Sequence, residues 1–318
     1  MSGDEAVIVA EVVRSGVVES THRGRLVVLD RDGHVDVALG DVDSPMYPRS
    51  ASKPGQVTAM VRHGLPLTGE LLALSASSHS GEDFHLEGVR RILAQVGLSE
   101  SALQNTPGYP LTANEMREYV RRGFGESSIA ADCSGKHAAM LATCVVNGWS
   151  IADYLEPSHP LQLAIHDTLE ELANEAIVTT SIDGCGAPLF ALSLTGVARM
   201  MRSITLAEPD RAGHRVAAAI RNYPEWTSGS VRDEMRLVRA IPGLVAKAGA
   251  EAVYVVGLAD GRAVALKIDD GGTRARRVVM SATLQRLGLD HPVLDDIEYV
   301  PVLGGGKEVG AIRPTLTF

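Results

Sequence analysis

Strand-like patterns lie near both ends of the chain. Four apolar, β-branched stretches predict strands, at 6–13, 24–39, 251–258 and 263–268. Asp32-Gly33 divides the second stretch, and Asp260-Gly261 joins the last two, in the way that tight hairpin turns do. Antiparallel strands are therefore expected near both ends.

Apolar residues at helical spacing dominate the middle of the chain. They predict helices at 53–63, 83–96, 112–122, 135–146, 160–176, 188–201, 210–222 and 274–287. Residues 71–78 instead predict a short buried strand or the start of a loop. This order, without regular alternation of strands and helices, predicts the α+β class, with an antiparallel sheet packed by helices. No linker or repeat divides the chain, so we expect one domain over 1–318, with 84–176 as a candidate helical lobe.

Charge and hydropathy narrow the class of protein. A chain of 318 residues can bury a large core, and its net charge of −9 disfavours nucleic acid or anionic lipid as a partner. No apolar window approaches the ~18 residues of a membrane span, and the first residues are acidic, unlike a secretory signal. A cytoplasmic protein is therefore expected.

A Ser-x-x-Lys sequence stands at the start of the first predicted helix. Ser50 and Lys53 are one helical turn apart, so the hydroxyl and the amine can face the same space. The positive end of the helix dipole disfavours an ammonium group and so favours the neutral amine of Lys53. A neutral amine can act as the base for a serine nucleophile. Chance alone gives about 0.4 such pairs in a chain with these numbers of serine and lysine. A serine that only caps the helix is the alternative.

Two other segments are rich in polar or glycine residues. The stretch 77–83, SSHSGED, concentrates hydroxyls, carboxylates and the imidazole of His79, which is typical either of a reactive loop or of a helix cap. The stretch 303–308, LGGGKE, lacks the spacing of a phosphate-binding loop, so ATP chemistry is not supported.

The three cysteines are too few, and odd in number, for a disulfide framework. Cys133 and His137 are four residues apart at the start of a predicted helix, and Cys185 lies in a distant Gly-rich turn. These three side chains form a candidate metal set. Free cysteines that act as small buried apolar residues are the alternative.

Together, these segments resemble the L-asparaginase II family of the Rhizobium etli inducible type. The matching stretches are PRSASKPGQ (48–56), SSHSGED (77–83), DCSGKHAAML (132–141), PSHPLQ (157–162), DGCGAP (183–188) and GLVAKAGAEAVYVVGL (243–258). The resemblance implies a fold similar to that of serine β-lactamases and glutaminases, and a homodimer.

The resemblance also implies an amidohydrolase that splits L-asparagine, a small-molecule substrate, into L-aspartate and ammonia. The family's two Ser-Lys pairs fall residue by residue on Ser50 with Lys53 and on Ser78 with Lys247. Arg49 would bind the substrate α-carboxylate. Asp183 would contribute to the polar cradle of the substrate, and His79 is a further candidate for substrate binding.

The resemblance further implies a zinc site at Cys133, Lys136 and Cys185. His137 is not among these ligands. A lysine must lose its proton to bind a metal ion, and a neighbouring cation favours that loss. The zinc would be structural or tune affinity, because the serines and lysines already supply a nucleophile and a base. No organic cofactor is expected.

The sequence departs from the family at two places. Asp132 stands where the family often has Asn, and 226–233 reads WTSGSVRD where many members have a Gly-Gly-x-x-Arg run. A β-lactamase-like or penicillin-interacting hydrolase and a glutaminase are the alternative enzymes, although the Lys-Thr-Gly strand motif of the former is absent. A non-catalytic protein that binds an amino acid or zinc on the same scaffold is the alternative outside enzymes.

Overall fold

An eight-stranded sheet forms the centre of the computed structural model, which describes residues 7–318. The sheet order is β6-β7-β8-β2-β1-β10-β9, with β3 paired to β2, and β4 and β5 form a separate ribbon. Every pair is antiparallel. The strands are β1 Val7–Arg14, β2 Val17–Leu29, β3 Val35–Leu39, β4 Thr180–Ile182, β5 Pro188–Phe190, β6 Val245–Ala248, β7 Val253–Gly257, β8 Ala263–Ile268, β9 Val300–Gly304 and β10 Lys307–Pro314.

The long strand β2 connects the two halves of the sheet. Its first half pairs with β1, and its second half lies between β8 and β3. Gly24 lies where the pairing of β2 passes from β1 to β8, and a Cβ atom on it would lie 2.6 Å from Lys267 O. A side chain at this position would push β2 and β8 apart.

Helices fill the chain between β3 and β6 and follow β8. Their bounds are α1 Lys53–Arg62, α2 Gly69–Ser75, α3 Asp83–Gln95, α4 Ala113–Arg121, α5 Ser134–Asn147, α6 Pro160–Ala173, α7 Leu194–Thr205, α8 Ala212–Asn222, α9 Pro224–Thr227, α10 Asp233–Ala240, α11 Arg276–Arg286 and α12 Pro292–Glu298. Short 3₁₀ turns lie at Arg49–Ser52 and Glu100–Ala102. This arrangement confirms the α+β prediction.

Helices cover both faces of the sheet. α7 and α11 each pack against β7 and β8, whose residues are buried at nearly every position. Strands that bury successive residues are covered on both faces. The apolar residues buried here and among the helices form one continuous core. Among residues 7–318, no helix has the length and apolar run needed to cross a membrane.

The core helix α1 positions the first lysine of the site. Nine of its ten residues are buried between α5, α6, α7 and α8. A Cβ on Gly55 would lie 2.6 Å from Leu169 Cδ2 and 2.8 Å from Met200 Sδ, so α6 and α7 approach α1 closely. The start of α1, with Lys53, is therefore fixed deep inside the protein.

Two predicted elements were wrong. Most of 71–78 is helical, because α2 spans Gly69–Ser75 and the loop begins only after it; a short apolar run does not distinguish a strand from a buried helix. The predicted helix 188–201 is divided into β5 and α7. Ser193 caps α7 by accepting a hydrogen bond from Gly196 N at 2.8 Å, which sets the start of the helix.

Besides β5, the strands β4, β6, β9 and β10 were not predicted. β9 and β10 form a hairpin whose turn contains Gly305 and Gly306, both with positive φ, which accounts for the Gly-rich stretch 303–308. β6 is only four residues long and is buried throughout, so no alternating pattern marks it.

Candidate active site

The hydroxyl of Ser78 lies between two buried lysines. Lys53 Nζ donates a hydrogen bond to Ser78 Oγ at 3.0 Å, and Lys247 Nζ donates one at 3.1 Å. Lys53 is at the start of α1, Lys247 is on β6, and Ser78 is in the loop after α2. The fold thus brings together three residues that are far apart in the sequence.

Backbone carbonyls fix both amines. Lys53 Nζ also donates to Ser77 O at 2.6 Å, and Lys247 Nζ donates to Ala248 O at 2.7 Å. Both lysines are almost completely buried. Each amine therefore has a defined position relative to the Ser78 hydroxyl.

Lys247 is the amine that the environment favours in its neutral form. Burial, and then the positive charge of Lys53, lower the pKa of Lys247 well below its ordinary value. Asp132 Oδ2 lies 3.7 Å from Lys53 Nζ and forms an ion pair with that amine. The sequence hypothesis assigned the neutral base to Lys53, whereas burial and the charge of Lys53 favour the neutral form at Lys247.

Ser50 Oγ makes no hydrogen bond to this group within residues 7–318. It is in the 3₁₀ turn before α1 and is partly exposed. In the described residues, no hydrogen bond joins Ser50 Oγ to Lys53 Nζ, which contacts Ser78 instead. Spacing along a helix predicted proximity of Ser50 and Lys53, but the lysine side chain extends toward the loop after α2.

Arg49 and Asp183 form an ion pair beside Ser50. Arg49 Nε donates to Asp183 Oδ1 at 2.7 Å, and the same oxygen accepts Gly184 N at 2.8 Å. Arg49 has a left-handed backbone with a φ of 51°, which is uncommon for a residue with a side chain. The structure thus brings together two of the three predicted substrate-binding residues.

Gly249 lets the end of β6 approach the turn that carries Ser50. A Cβ at this position would lie 2.7 Å from Pro48 O and 3.0 Å from Ala51 N. We expect Gly249→Ala to separate β6 from the turn and to lower kcat/KM of the reaction catalysed at this site by at least about tenfold. The reason is that a misplacement of reacting groups by about 1 Å can cost a hundredfold in rate. Gly125→Ala is the control, since that position has open space around it. Equal activities of the two purified variants would contradict the expectation.

His79 lies in a closed interior position. It is completely buried, its Nε2 is 2.8 Å from Ser134 Oγ, and its ring stacks on His85 with centroids 5.1 Å apart. Burial lowers the pKa of His79 well below its ordinary value. The structure therefore places this candidate against Ser134, away from solvent.

Glu82 ties the segment 227–230 to the loop that carries Ser78. Its carboxylate accepts hydrogen bonds from Ser80 Oγ at 2.7 Å, Ser230 N at 2.9 Å and Ser230 Oγ at 2.6 Å. Ser78 N and Ser80 N donate to the carbonyls of the same segment, at 3.1 Å and 2.8 Å. The segment 227–230 therefore packs directly against the loop that carries Ser78. The sequence singled out Glu82 only as one of the carboxylates of the stretch 77–83, without a role.

The two cysteines of the predicted metal site meet. The candidate ligand atoms of Cys133, Cys185 and His137 all lie within 4.8 Å of one another, and Lys136 Nζ lies 3.4 Å from Cys185 Sγ. A hydrogen bond with Cys133, together with the Lys136 charge, lowers the pKa of Cys185 far below its usual range. The structure therefore brings together the ligands from both sequence-based hypotheses.

The donor set fits a soft metal ion. His137 Nδ1 is 2.8 Å from Tyr154 OH, whereas His137 Nε2 is buried and has no hydrogen-bond partner among residues 7–318. Two thiols and an unpaired imidazole nitrogen are typical ligands of zinc. Asp183 Oδ2, 4.0 Å from Cys185 Sγ, connects this cluster to Arg49.

Several solved structures are similar to the chain. One is a β-lactamase from Mycobacterium bovis, with 13% identity over 84% of this chain and 95% of that chain and a TM-score of 0.46. Another is Mglu in 4.3 M NaCl, with 12% identity, 89% and 66% coverage and a TM-score of 0.47. A third is EstCE1, a hydrolase with promiscuous acyltransferase activity, with 11% identity, 86% and 93% coverage and a TM-score of 0.42. Sequence identities and TM-scores this low assign no function to the chain.

The sequence itself gives a more specific result. No curated protein matches the chain. The family model of L-asparaginase II, in contrast, matches residues 10–314. That range contains the Ser78 hydroxyl with its two lysines, the Arg49-Asp183 pair and the cysteine cluster. With nearly its whole length matched, the protein belongs to the L-asparaginase II family.

Proposed function

We propose that the protein is an L-asparaginase, which hydrolyses the side-chain amide of L-asparagine to give L-aspartate and ammonia. Membership of the family supports a hydrolase of the asparaginase type. The observation that carries the proposal is the hydroxyl of Ser78 held by two buried lysines, because a hydroxyl bonded to a neutral amine can pass the proton of a serine nucleophile to that amine, as nucleophilic acyl transfer requires.

The two serines suit different roles. Ser50 is partly exposed and adjacent to Arg49, which makes it the candidate nucleophile. Ser78 is buried and bonded to both amines, which makes it the candidate proton relay to Lys247.

The reaction then has two stages. Ser50 Oγ forms a bond to the amide carbon while its proton passes through Ser78 to Lys247 and on to the leaving nitrogen. The C–N bond breaks, ammonia leaves, and water hydrolyses the resulting ester to release L-aspartate. Backbone N–H groups at the turn before α1 are the candidate donors to the oxyanion.

The charged groups beside Ser50 suit an amino-acid substrate. Arg49 offers a guanidinium group to an α-carboxylate, and the carboxylate of Asp183 orients it. The deciding experiment measures ammonia release from L-asparagine and L-glutamine, and hydrolysis of a β-lactam, by the same preparation. Preferred turnover of L-asparagine supports the proposal, and turnover of only one of the other compounds would replace it by a glutaminase or a β-lactamase.

We expect the activity to rise with pH on the acid side of its profile. Lys247 must be neutral to accept a proton, and its lowered pKa makes the neutral form available below the ordinary lysine pKa of about 10.4. The apparent pKa of kcat/KM for L-asparagine is measured from about pH 5 to pH 10 and describes the coupled serine and lysine groups. A profile that is flat down to acid pH would contradict a lysine base.

We further propose that the cysteine cluster holds zinc through Cys133 and Cys185, with Lys136 or His137 as a third ligand. Bound zinc would cross-link the start of α5 to the turn that contains Asp183. It would thereby hold Arg49 in place through Asp183.

Loss of zinc is expected to weaken substrate binding more than it slows turnover. Cys133→Ser and Cys185→Ser should lose the metal in elemental analysis and raise KM for L-asparagine more than they lower kcat. Cys144→Ser is the control, because Cys144 lies three helical turns from Cys133 and in the core. Complete loss of kcat with unchanged KM would instead place the metal in the chemical step.

The resemblance also supports a homodimer, which we propose as the oligomeric state. Light scattering coupled to gel filtration measures it, and a monomer at working concentration would contradict it.

A further inference from the structure

Left-handed backbone conformations are concentrated at the candidate active site. Five residues other than glycine have positive φ in the described part of the chain, and three of them are Arg49, Glu251 and Ala252. The other two, Ser15 and Asn174, lie elsewhere. Strained backbone persists only where surrounding structure holds it, and it is frequent at functional sites.

Glu251 and Ala252 form the turn between β6 and β7. Gly249 N donates to Val253 O at 2.8 Å, and both central residues have positive φ, 56° and 53°. Such turns usually contain Asn-Gly, because a side chain disfavours this conformation. Here, Ala252 is buried and Lys267 Nζ donates to Glu251 O at 3.0 Å, so contacts with the rest of the protein hold the turn.

The strained turn brings a carboxylate to Arg49. Glu251 Oε1 lies 3.8 Å from Arg49 NH1, on a side chain that is 58% exposed. Asp183 is only 14% exposed and already accepts two hydrogen bonds, and Asp132 is paired with Lys53. Of the carboxylates that contact Arg49 or Lys53, Glu251 is therefore the most exposed and the most available to a ligand.

We infer that Glu251 binds the α-ammonium group of the amino-acid substrate while Arg49 binds its α-carboxylate. A free α-amino acid carries opposite charges on groups attached to one carbon, and Arg49 with Glu251 presents the complementary pair of charges. This inference rests on the proposed function, since it assigns a specificity residue to the same site.

The first experiment compares Glu251→Gln with the wild type on L-asparagine and on succinamate, the same compound without its α-amino group. We expect kcat/KM for L-asparagine to fall at least about tenfold and that for succinamate to stay within about twofold. Glu126→Gln, at an exposed position, should leave both values unchanged. Equal losses for the two substrates would overturn the inference.

A second variant separates recognition from stability. Glu251→Gly removes the carboxylate and relieves the strain, so we expect a higher Tm together with lost discrimination between the two substrates. Ser15→Gly relieves similar strain at a remote hairpin and should raise Tm without changing the kinetics. Glu251→Gly with intact discrimination would overturn the inference.

Binding measurements separate this inference from the proposed function. Calorimetry compares L-aspartate with succinate, which lacks the ammonium group, so that no catalysis is required. Wild-type preference for L-aspartate that is lost in Glu251→Gln supports the inference even if L-asparagine is not hydrolysed, in which case only the proposed function fails. Equal wild-type binding of the two ligands, or a preference retained in Glu251→Gln, would overturn it.

Discussion

Replacement of Lys247 by methionine is expected to lower kcat for L-asparagine by at least about a hundredfold, the scale for removal of a general base. Methionine fills similar space but cannot accept a proton from Ser78, whose hydroxyl would keep only Lys53 as an amine partner. Because Lys53 is paired with Asp132, it is a poor substitute for a neutral base.

The measurement is steady-state ammonia release by variants whose circular dichroism matches that of the wild type. Lys307→Met is the control, since this exposed lysine lies on β10, outside the site. Wild-type turnover by folded Lys247→Met would remove Lys247 from the mechanism.

Ser50→Ala is expected to abolish the acyl-enzyme and to lower kcat by at least about a hundredfold. The reason is that Ser50 is the more exposed serine and lies beside the residue that would bind the substrate carboxylate. Ser78→Ala should slow the reaction comparably but still acylate Ser50, because its hydroxyl only relays the proton.

Mass spectrometry of quenched reactions tests this division of roles. Ser77→Ala is the matched control for Ser78→Ala, because Ser77 Oγ has no hydrogen-bond partner in the described part of the chain and the carbonyl that contacts Lys53 is retained. An acyl group found on Ser78 rather than Ser50 would reverse the two roles.

The sequence predicted the fold class and most helices because their apolar residues recur over many turns. It did not predict β6, which is four residues long and buried throughout, or the β9-β10 hairpin, in which Ile312 alone is buried, so neither shows a clear contrast between buried and exposed positions. The break between β5 and α7 depends on one serine cap, a local hydrogen bond that periodicity does not detect.

The site could be predicted as a set of residues but not as a set of contacts. Spacing suggested that Lys53 meets Ser50, whereas the position of its amine depends on a loop 25 residues away. The short distance between Lys136 and Cys185 likewise depends on how a distant turn folds onto α5. Glu251 had no sequence signal, because nothing in the pair Glu-Ala predicts a left-handed turn.

The sheet order has a consequence for how the chain folds. β1 pairs with β10, with Ala10 opposite Pro314, so the strands that lie furthest apart in the sequence are neighbours. Closing a loop of this length costs entropy before any contact is gained, and topologies rich in such pairs fold slowly. During synthesis, β1 must wait for a strand that is made about 300 residues later, with one edge unpaired. We therefore expect slow refolding, prone to aggregation at high concentration.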